Sequence, residues 1–244
     1  MPKRKMRPDE EFVMSNLAAS LGPGASWWPG EDPPDCYLKV GGKVIAVEIS
    51  ILPQLVVDDH GETIPRLSQD MIAVRICNEL DIELNHLVPK GITVYLILEA
   101  PINKPRKFKS ELADLIKTSM ENAQNIGCIV KREILSNRVE IRMKNERPCG
   151  KRIIGIVTNR RSSPLILANA KQTLDERIQA KAEKCKPLNF TGPIWLPLFN
   201  DYWLAEPDTY KQAIKTSDVA HCFERIYLIN DAGMVVPLYL KHQG

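Results

Sequence analysis

The sequence predicts an α/β fold, a three-layer α/β/α sandwich around a mixed central sheet, within a single domain that spans residues 1–244. Two observations lead to this prediction. Segments with an apolar stripe at helical spacing alternate with short β-rich runs, and helices that lie between strands flank a sheet. The chain also has no Ser/Gly linker, low-complexity tract or internal repeat that would mark a boundary between domains.

Each element follows from its own local pattern. A helix is expected near 9–21, where Pro8 precedes three acidic residues, and a long helix is expected near 66–87. The stripe of the long helix is Leu67, Met71, Val74, Ile76 and Leu80. Further helices are expected near 108–123, around Lys181 and near 208–216. Strands are expected in a hairpin at 35–50 and near 92–99, 128–135, 138–143, 152–158, 194–199, 224–230 and 234–240. The core of the domain is assigned to 9–50, 91–100 and 152–230.

Composition and motifs exclude several classes of protein. The net charge of +3 is too small to indicate a partner by itself. The longest apolar runs are far shorter than the ~20 residues of a membrane helix, so a cytoplasmic protein without a membrane partner is expected. The six cysteines have no zinc-site or disulfide spacing. Glycine-rich phosphate-binding motifs are lacking, so no nucleotide cofactor is expected.

The segment 35–50 predicts a hairpin that brings two carboxylates together. Two β-rich runs flank Gly41-Gly42, which is typical of a two-residue primed turn. Such a turn pairs Val40 with Lys43 and, further along, Asp35 with Glu48. Directly opposed residues have Cβ atoms ~5 Å apart, and like charges there repel unless one is protonated or both share a cation. A cation bound by carboxylate oxygens suits Mg²⁺.

Simpler explanations of the two acids remain open from spacing alone. An Asp after Pro-Pro is a common turn residue, and a Glu near a strand end is commonly solvated. The predicted register also requires that pairing continues to Asp35 without a bulge.

Pro34-Asp35, a short hairpin and Val47-Glu48-Ile49-Ser50 together resemble the PD-(D/E)xK nuclease superfamily. The resemblance implies a restriction-endonuclease-like fold and hydrolysis of phosphodiester bonds in nucleic acid, with DNA as the expected substrate and Mg²⁺ or Mn²⁺ as cofactor. Asp35 and Glu48 would hold the metal, with the Ile49 carbonyl as a third ligand. The match has one departure, because Ser50 stands where the superfamily has its lysine.

Members of the superfamily whose lysine has moved to a neighbouring helix suggest a replacement. In the helical segment 174–186, Lys181 lies about 60° from Ile178 and about 40° from Cys185, within the apolar stripe. Lys is rarely buried unless it is paired, although an amine that extends past the core into water would give the same pattern. Lys184 falls outside the stripe and is expected to be solvated.

Two more residues are candidates for the site. Glu10 on the first helix is similar to an additional metal-contacting Glu, although complementarity with the helix dipole explains it equally well. Ser50 could hydrogen-bond a water in the site but cannot replace an ammonium. Lys184, Lys186, Arg160 and Arg161 belong to basic clusters that could contact a phosphate backbone.

Three functional classes therefore remain. The first is a Mg²⁺-dependent endonuclease or exonuclease with Asp35, Glu48 and Lys181 as catalytic residues. The second is an inactive nuclease-like domain that binds nucleic acid or a protein partner. The third is a metal-free structural protein, in which Asp35 and Glu48 would be far apart. The sequence also leaves a homodimer open.

Overall fold

The computed structural model describes residues 5–121, 127–146 and 150–241, and the chain divides into two compact units. The first unit comprises Met1–Leu55 and Ser163–Gly244, and the second comprises Val56–Ser162. No helix among the described residues is long and apolar enough to cross a membrane.

The helices and strands alternate along the chain. In chain order they are α1 (Pro8–Ser20), β1 (Ser26–Pro29), β2 (Cys36–Val40), β3 (Lys43–Val47), β4 (Ser50–Pro53), β5 (Leu55–Val57), β6 (Thr63–Pro65), α2 (Arg66–Leu84), β7 (Ile92–Ala100), α3 (Pro105–Glu121), β8 (Ile129–Ile134), β9 (Asn137–Asn145), β10 (Ile153–Asn159), α4 (Ile166–Cys185), β11 (Ile194–Asp201), α5 (Pro207–Lys215), β12 (Arg225–Ile229) and β13 (Val235–Leu240). The sequence pattern did not predict β1, β4, β5 or β6 as separate strands. The last two residues of the helix predicted at 108–123 lie outside the described residues.

The first unit is built on a mixed seven-stranded sheet, which confirms the α/β class. The strand order is β1-β2-β3-β11-β12-β13, with β4 also paired to β11. β1, β2 and β3 form an antiparallel meander, β11 runs parallel to β3, β4 and β12, and β13 is antiparallel to β12.

Helices cover both faces of this sheet because its strands alternate between two apolar cores. Trp195 and Tyr227 pack with the buried side of α1, including Val13 and Leu17. The neighbouring residues point the other way and pack with α4 and α5; the buried set on that face is Leu196, Leu198, Ile226, Leu228, Leu174, Ile178, Tyr210 and Ala213. The period of two along β11 and β12 therefore assigns each helix to its face.

The hairpin formed by β2 and β3 has the predicted register. Val40 pairs with Lys43 and Cys36 pairs with Val47, without a bulge between them. The turn residues Gly41 and Gly42 have φ values of 56° and 78°, as a type I′ turn requires. Glycine adopts these angles without steric cost, so the turn fixes the pairing of every later residue in the hairpin.

The second unit has its own four-stranded sheet, in the order β10-β7-β9-β8. β7 pairs in parallel with β10 and antiparallel with β9. One face of the sheet packs against α2 and α3 through a core that includes Leu80, Leu96, Phe108, Leu112 and Ile141.

This sheet corrects one part of the sequence prediction. The strands predicted near 92–99 and 152–158 do not join the sheet of the hairpin, because they pair with each other as β7 and β10. An apolar run identifies a strand but not its partner, which depends on packing with distant helices. The prediction of one domain over 1–244 stays a prediction.

Candidate active site

Asp35 and Glu48 meet at the open end of the hairpin. Cys36 pairs with Val47, and Asp35 and Glu48 are the next residues in that register. Cys36 and Val47 point into the core beneath α1, so their neighbours Asp35 and Glu48 lie on the opposite face, which α4 covers. Both acids are buried, with 2% and 0% of their surface exposed. The predicted proximity of the two carboxylates is therefore confirmed.

An interruption in the sheet lies directly at Glu48. Ala46 and Glu48 donate their N–H groups to the carbonyls of Pro193 and Trp195, at 3.0 and 3.1 Å. A regular parallel ladder would next use the N–H of Pro197, which proline lacks. Strand β3 accordingly ends at Val47 and β4 resumes at Ser50 in the same register along β11.

The residue after Glu48 holds Asp35 in place. The backbone N–H of Ile49 donates to Oδ2 of Asp35 at 2.8 Å. The hairpin thus fixes the two acids twice, through the register of its strands and through this bond. The role of the Ile49 carbonyl as a metal ligand stays a prediction.

Lys181 reaches both carboxylates from α4. Its Nζ lies 2.9 Å from Oδ2 of Asp35 and 2.6 Å from Oε2 of Glu48. Its side chain is 18% exposed, so the amine does not extend into water but ends at the acids. The apolar stripe of α4 explains this direction, because Ile178, Ala182 and Cys185 are buried against the same face of the sheet.

Lys184 also reaches the acids, and the prediction that it is an ordinary solvated residue is wrong. Its Nζ lies 3.1 Å from Oδ1 of Asp35 and 3.0 Å from Oε2 of Glu48. Residues three apart are neighbours on a helix surface, and the flexible four-carbon stem of lysine spans the remaining angle. The helical wheel describes where a Cβ points, and a long side chain can end elsewhere.

A third carboxylate, on Asp32, was not identified from the sequence. Oδ1 of Asp32 lies 2.5 Å from Nζ of Lys184. Asp32, Asp35 and Glu48 each offer an oxygen, and these three atoms lie within 4.8 Å of one another. The only signal in the sequence is that an acid precedes Pro33-Pro34. That signal does not reveal that the loop folds back onto the hairpin.

The loop that carries Asp32 is closed by its own backbone. The N–H of Gly30 donates to the Asp35 carbonyl at 2.9 Å, and the N–H of Asp32 donates to the Pro34 carbonyl at 3.0 Å. Asp32 has a φ of 63°, in the left-handed region that Asp and Asn tolerate better than most residues. The short polar side chain of Asp32 therefore suits both the backbone and the carboxylate cluster.

The electrostatic balance of this cluster leaves room for a cation. Three carboxylates face two ammonium groups, and Oε1 of Glu48 is buried without a hydrogen-bond partner in the part of the chain that the structure describes. Burial raises the pKa of Glu48, the nearby Lys181 opposes this shift, and Asp35 adds to it. Clustered oxygen ligands with one unsatisfied oxygen are compatible with Mg²⁺ or Mn²⁺.

Lys184 stays charged in this setting. Partial burial acts against its charge, but hydrogen bonds with Asp32 and Glu48 and the charge of Asp35 outweigh burial, so its pKa is raised. The two lysines differ in exposure, since the side chain of Lys184 is 33% exposed against 18% for Lys181. Lys181 is therefore the more enclosed of the two cations.

The other predicted site residues lie elsewhere or have other contacts. Glu10 accepts a hydrogen bond from the N–H of Arg7 at 3.0 Å, as a helix-capping residue does, and its helix packs on the opposite face of the sheet. Ser50 is buried in β4, where it pairs with Leu198. Lys186 pairs with Glu183. Arg160 and Arg161 belong to the second unit, where Arg161 pairs with Asp59.

A tight approach in the loop gives a first testable prediction. A Cβ on Gly30 would lie 2.1 Å from the Pro34 carbonyl oxygen, so Gly30→Ala must displace the segment that carries Asp32 and Asp35. We expect a loss of about 1–3 kcal/mol of stability, as for other overpacked sites, and at least tenfold weaker binding of Mn²⁺. Thermal unfolding and calorimetric titration measure the two effects.

Gly24→Ala is the matched control for this variant. Among the described residues, no atom outside Gly24 and its two chain neighbours lies within 4 Å of a Cβ at this position, so we expect a stability change of no more than about 0.5 kcal/mol and unchanged metal binding. Equal behaviour of the two alanine variants would contradict the role given to Gly30.

Comparison of the chain with models of known protein families, with curated proteins and with solved structures gave no match. Function is therefore inferred from the geometry of the site.

Proposed function

We propose that the first unit is a restriction-endonuclease-like α/β/α nuclease that hydrolyses phosphodiester bonds in nucleic acid, with DNA as the expected substrate and Mg²⁺ or Mn²⁺ as cofactor. One observation carries the proposal. The ammonium of Lys181 lies 2.9 and 2.6 Å from two buried carboxylates that the hairpin places opposite each other. Ser50 stands where the superfamily has its lysine, and the sequence suggested Lys181 as the replacement. A domain that only binds nucleic acid would not require contact between a lysine and both carboxylates.

Asp35 and Glu48 would hold the cation, with the Ile49 carbonyl as a third ligand and Asp32 as an additional carboxylate. Oε1 of Glu48, which has no hydrogen-bond partner among the described residues, supports this assignment. A buried oxygen without a hydrogen bond costs free energy unless a ligand supplies one. When bound, the metal would polarise the scissile phosphate and lower the pKa of water.

Lys181 and Lys184 would supply the positive charges of the site. Lys181 would orient the attacking water or stabilise negative charge on the phosphate in the transition state, as preorganised cations do in such displacements. Lys184 would hold Asp32 and add a second positive charge at the edge of the site. If a metal were bound by the carboxylates, both ammonium groups could donate hydrogen bonds to the oxygens of a phosphate group.

The proposal is tested by incubating the protein with supercoiled, linear and single-stranded DNA and with RNA, in Mg²⁺ or Mn²⁺ and beside an EDTA control. We expect cleavage that depends on the metal and is lost in Glu48→Gln. Glu11→Gln is the matched control, because Glu11 is exposed on α1, which packs on the opposite face of the sheet. Binding of nucleic acid without cleavage under all conditions would favour an inactive, nuclease-like binding domain.

A further inference from the structure

Three aromatic rings lie in contact beside the candidate active site. Trp28 in β1 pairs with Tyr37 in β2, and their rings stack with centroids 5.7 Å apart and planes 26° apart. The ring of Phe190, in the segment between α4 and β11, lies 5.9 Å from that of Tyr37. We refer to Trp28, Tyr37 and Phe190 as the aromatic row.

The aromatic row and the carboxylates share one face of the sheet. Tyr37 follows Asp35 by two residues, so both side chains point to the same side and their Cα atoms are about 7 Å apart. Tyr37 pairs with Ala46, which precedes Glu48 by two residues, so the offset is the same on both strands of the hairpin. Tyr37, the member of the aromatic row in β2, is therefore the next residue on this face after Asp35.

The surroundings keep these rings in place. The hydroxyl of Tyr37 donates to Oε2 of Glu31 at 2.8 Å. A Cβ on Gly192 would lie 2.6 Å from the ring of Phe190, so glycine at this position permits the ring to lie where it does. Trp28 remains 39% exposed, which is a large fraction for the biggest apolar side chain.

We infer that the aromatic row is a stacking surface for an unpaired base, and that the substrate of the proposed nuclease is therefore single-stranded nucleic acid or a strand locally opened at the cleavage site. This inference rests on the proposed function. The step of about 7 Å along the strand is comparable to the distance between a backbone phosphate and the base of an adjoining nucleotide. A phosphate bound by Lys181 and by a cation at Asp35 and Glu48 would thus place a neighbouring base beside Trp28, the exposed ring of the row.

The chemistry favours an unpaired base over a duplex. Aromatic side chains bind bases through their π-faces, and loss of one such contact weakens binding by about 5- to 150-fold. In a duplex those faces are covered by the neighbouring base pairs, so stacking on protein requires a base that has left the stack. A cross-strand aromatic pair can also serve only to stabilise an edge strand, and the experiment separates that role from base stacking.

The binding test uses the full chain with Glu48→Gln, so that substrate is bound and not cleaved. Fluorescence anisotropy with a labelled single-stranded oligonucleotide gives its Kd, and no metal is added because this variant is expected to bind none. We expect Trp28→Ala in this background to weaken binding by about 5- to 150-fold. Trp28→Phe keeps an aromatic face and should recover most of the affinity, whereas Trp28→Leu, which keeps only apolar bulk, should not.

Trp203→Ala is the matched control, since Trp203 is 77% exposed in the same unit and lies outside the aromatic row. It should leave the Kd unchanged. Thermal unfolding of every variant identifies a loss of affinity that comes from loss of the fold. If Trp28→Leu binds as well as Trp28→Phe, the row is structural and the inference is wrong.

Cleavage by the unmodified chain completes the test. Single-stranded DNA should be cut at least about five times faster than a duplex of the same sequence. Equal rates on the two substrates, with Trp28→Ala as active as the parent, would overturn the stacking surface and leave phosphodiester hydrolysis standing. If the unmodified chain cleaves no nucleic acid, the proposed function is wrong, and the inference that rests on it is wrong as well.

Discussion

Glu48→Gln and Asp35→Asn are each expected to abolish divalent-metal binding and to reduce nucleic-acid cleavage by at least about 1,000-fold. The metal contributes several kcal/mol of transition-state stabilisation, and each 1.36 kcal/mol corresponds to a factor of ten in rate. A neutral amide keeps the shape of the side chain but removes the charge that holds the cation. Calorimetric titration with Mn²⁺ and a plasmid-nicking assay measure the two losses.

Metal binding should also be visible in stability. A cation that binds only the folded chain stabilises it by about 2.7 kcal/mol at 100 times its Kd, so Mg²⁺ should raise the melting temperature of the unmodified protein. This increase should disappear in Glu48→Gln and persist in Glu11→Gln, in which the changed residue is exposed on α1. In metal-free buffer Glu48→Gln loses the charge that contacts Lys181 and Lys184, so the melting temperature of this variant without metal is the baseline against which the effect of Mg²⁺ is measured. Metal-independent cleavage, or unchanged Mn²⁺ binding in both amide variants, would contradict the proposed centre.

Lys181→Met is expected to leave the fold and metal binding intact while reducing the cleavage rate by about 100- to 1,000-fold, the range for removal of one preorganised electrostatic contact. Methionine retains most of the apolar stem that extends from α4 towards the sheet and loses only the ammonium. Because that ammonium touches both Asp35 and Glu48, its loss also removes a competitor for the carboxylates, so Mn²⁺ affinity should stay equal or rise. Single-turnover cleavage and calorimetry distinguish these effects.

Substitution of two neighbouring lysines, Lys184 and Lys186, tests whether the effect is specific to Lys181. Lys186→Met is the control, because Lys186 is exposed and pairs with Glu183 away from the acids. Lys184→Met should fall between the two, since Lys184 contacts the same carboxylates but is the more exposed cation. Equal losses in Lys181→Met and Lys184→Met would mean that α4 supplies only general positive charge. Full activity in Lys181→Met would remove this residue from the mechanism.

The local parts of the site could be predicted from the sequence because short-range chemistry decides them. Gly41 and Gly42 select a primed turn, the turn sets the register, and the register places Asp35 beside Glu48. The stripe of α4 likewise indicated that Lys181 faces the sheet. In both cases the period of a single element was enough to orient a side chain.

Residues brought in by loops and long side chains could not be predicted in this way. Asp32 joins the cluster because Gly30 allows the loop to close against Pro34, a contact that no spacing rule anticipates. Lys184 joins because four flexible methylene groups carry its charge away from the direction of its Cβ. The gap in the ladder opposite Pro197 depends on which strand β3 has as its neighbour.

By itself, the sequence determined the class of the fold, the hairpin with its register and the face of α4 that carries Lys181. Only the tertiary structure decided that β7 and β10 form a separate sheet, that Asp32 and Lys184 complete the charged cluster, and that Glu10 lies beneath the other face of the sheet. The physical reason is the range of the interactions. Turn angles and side-chain periods act between near neighbours, whereas strand partners and charge clusters arise from packing between segments that are distant in the chain.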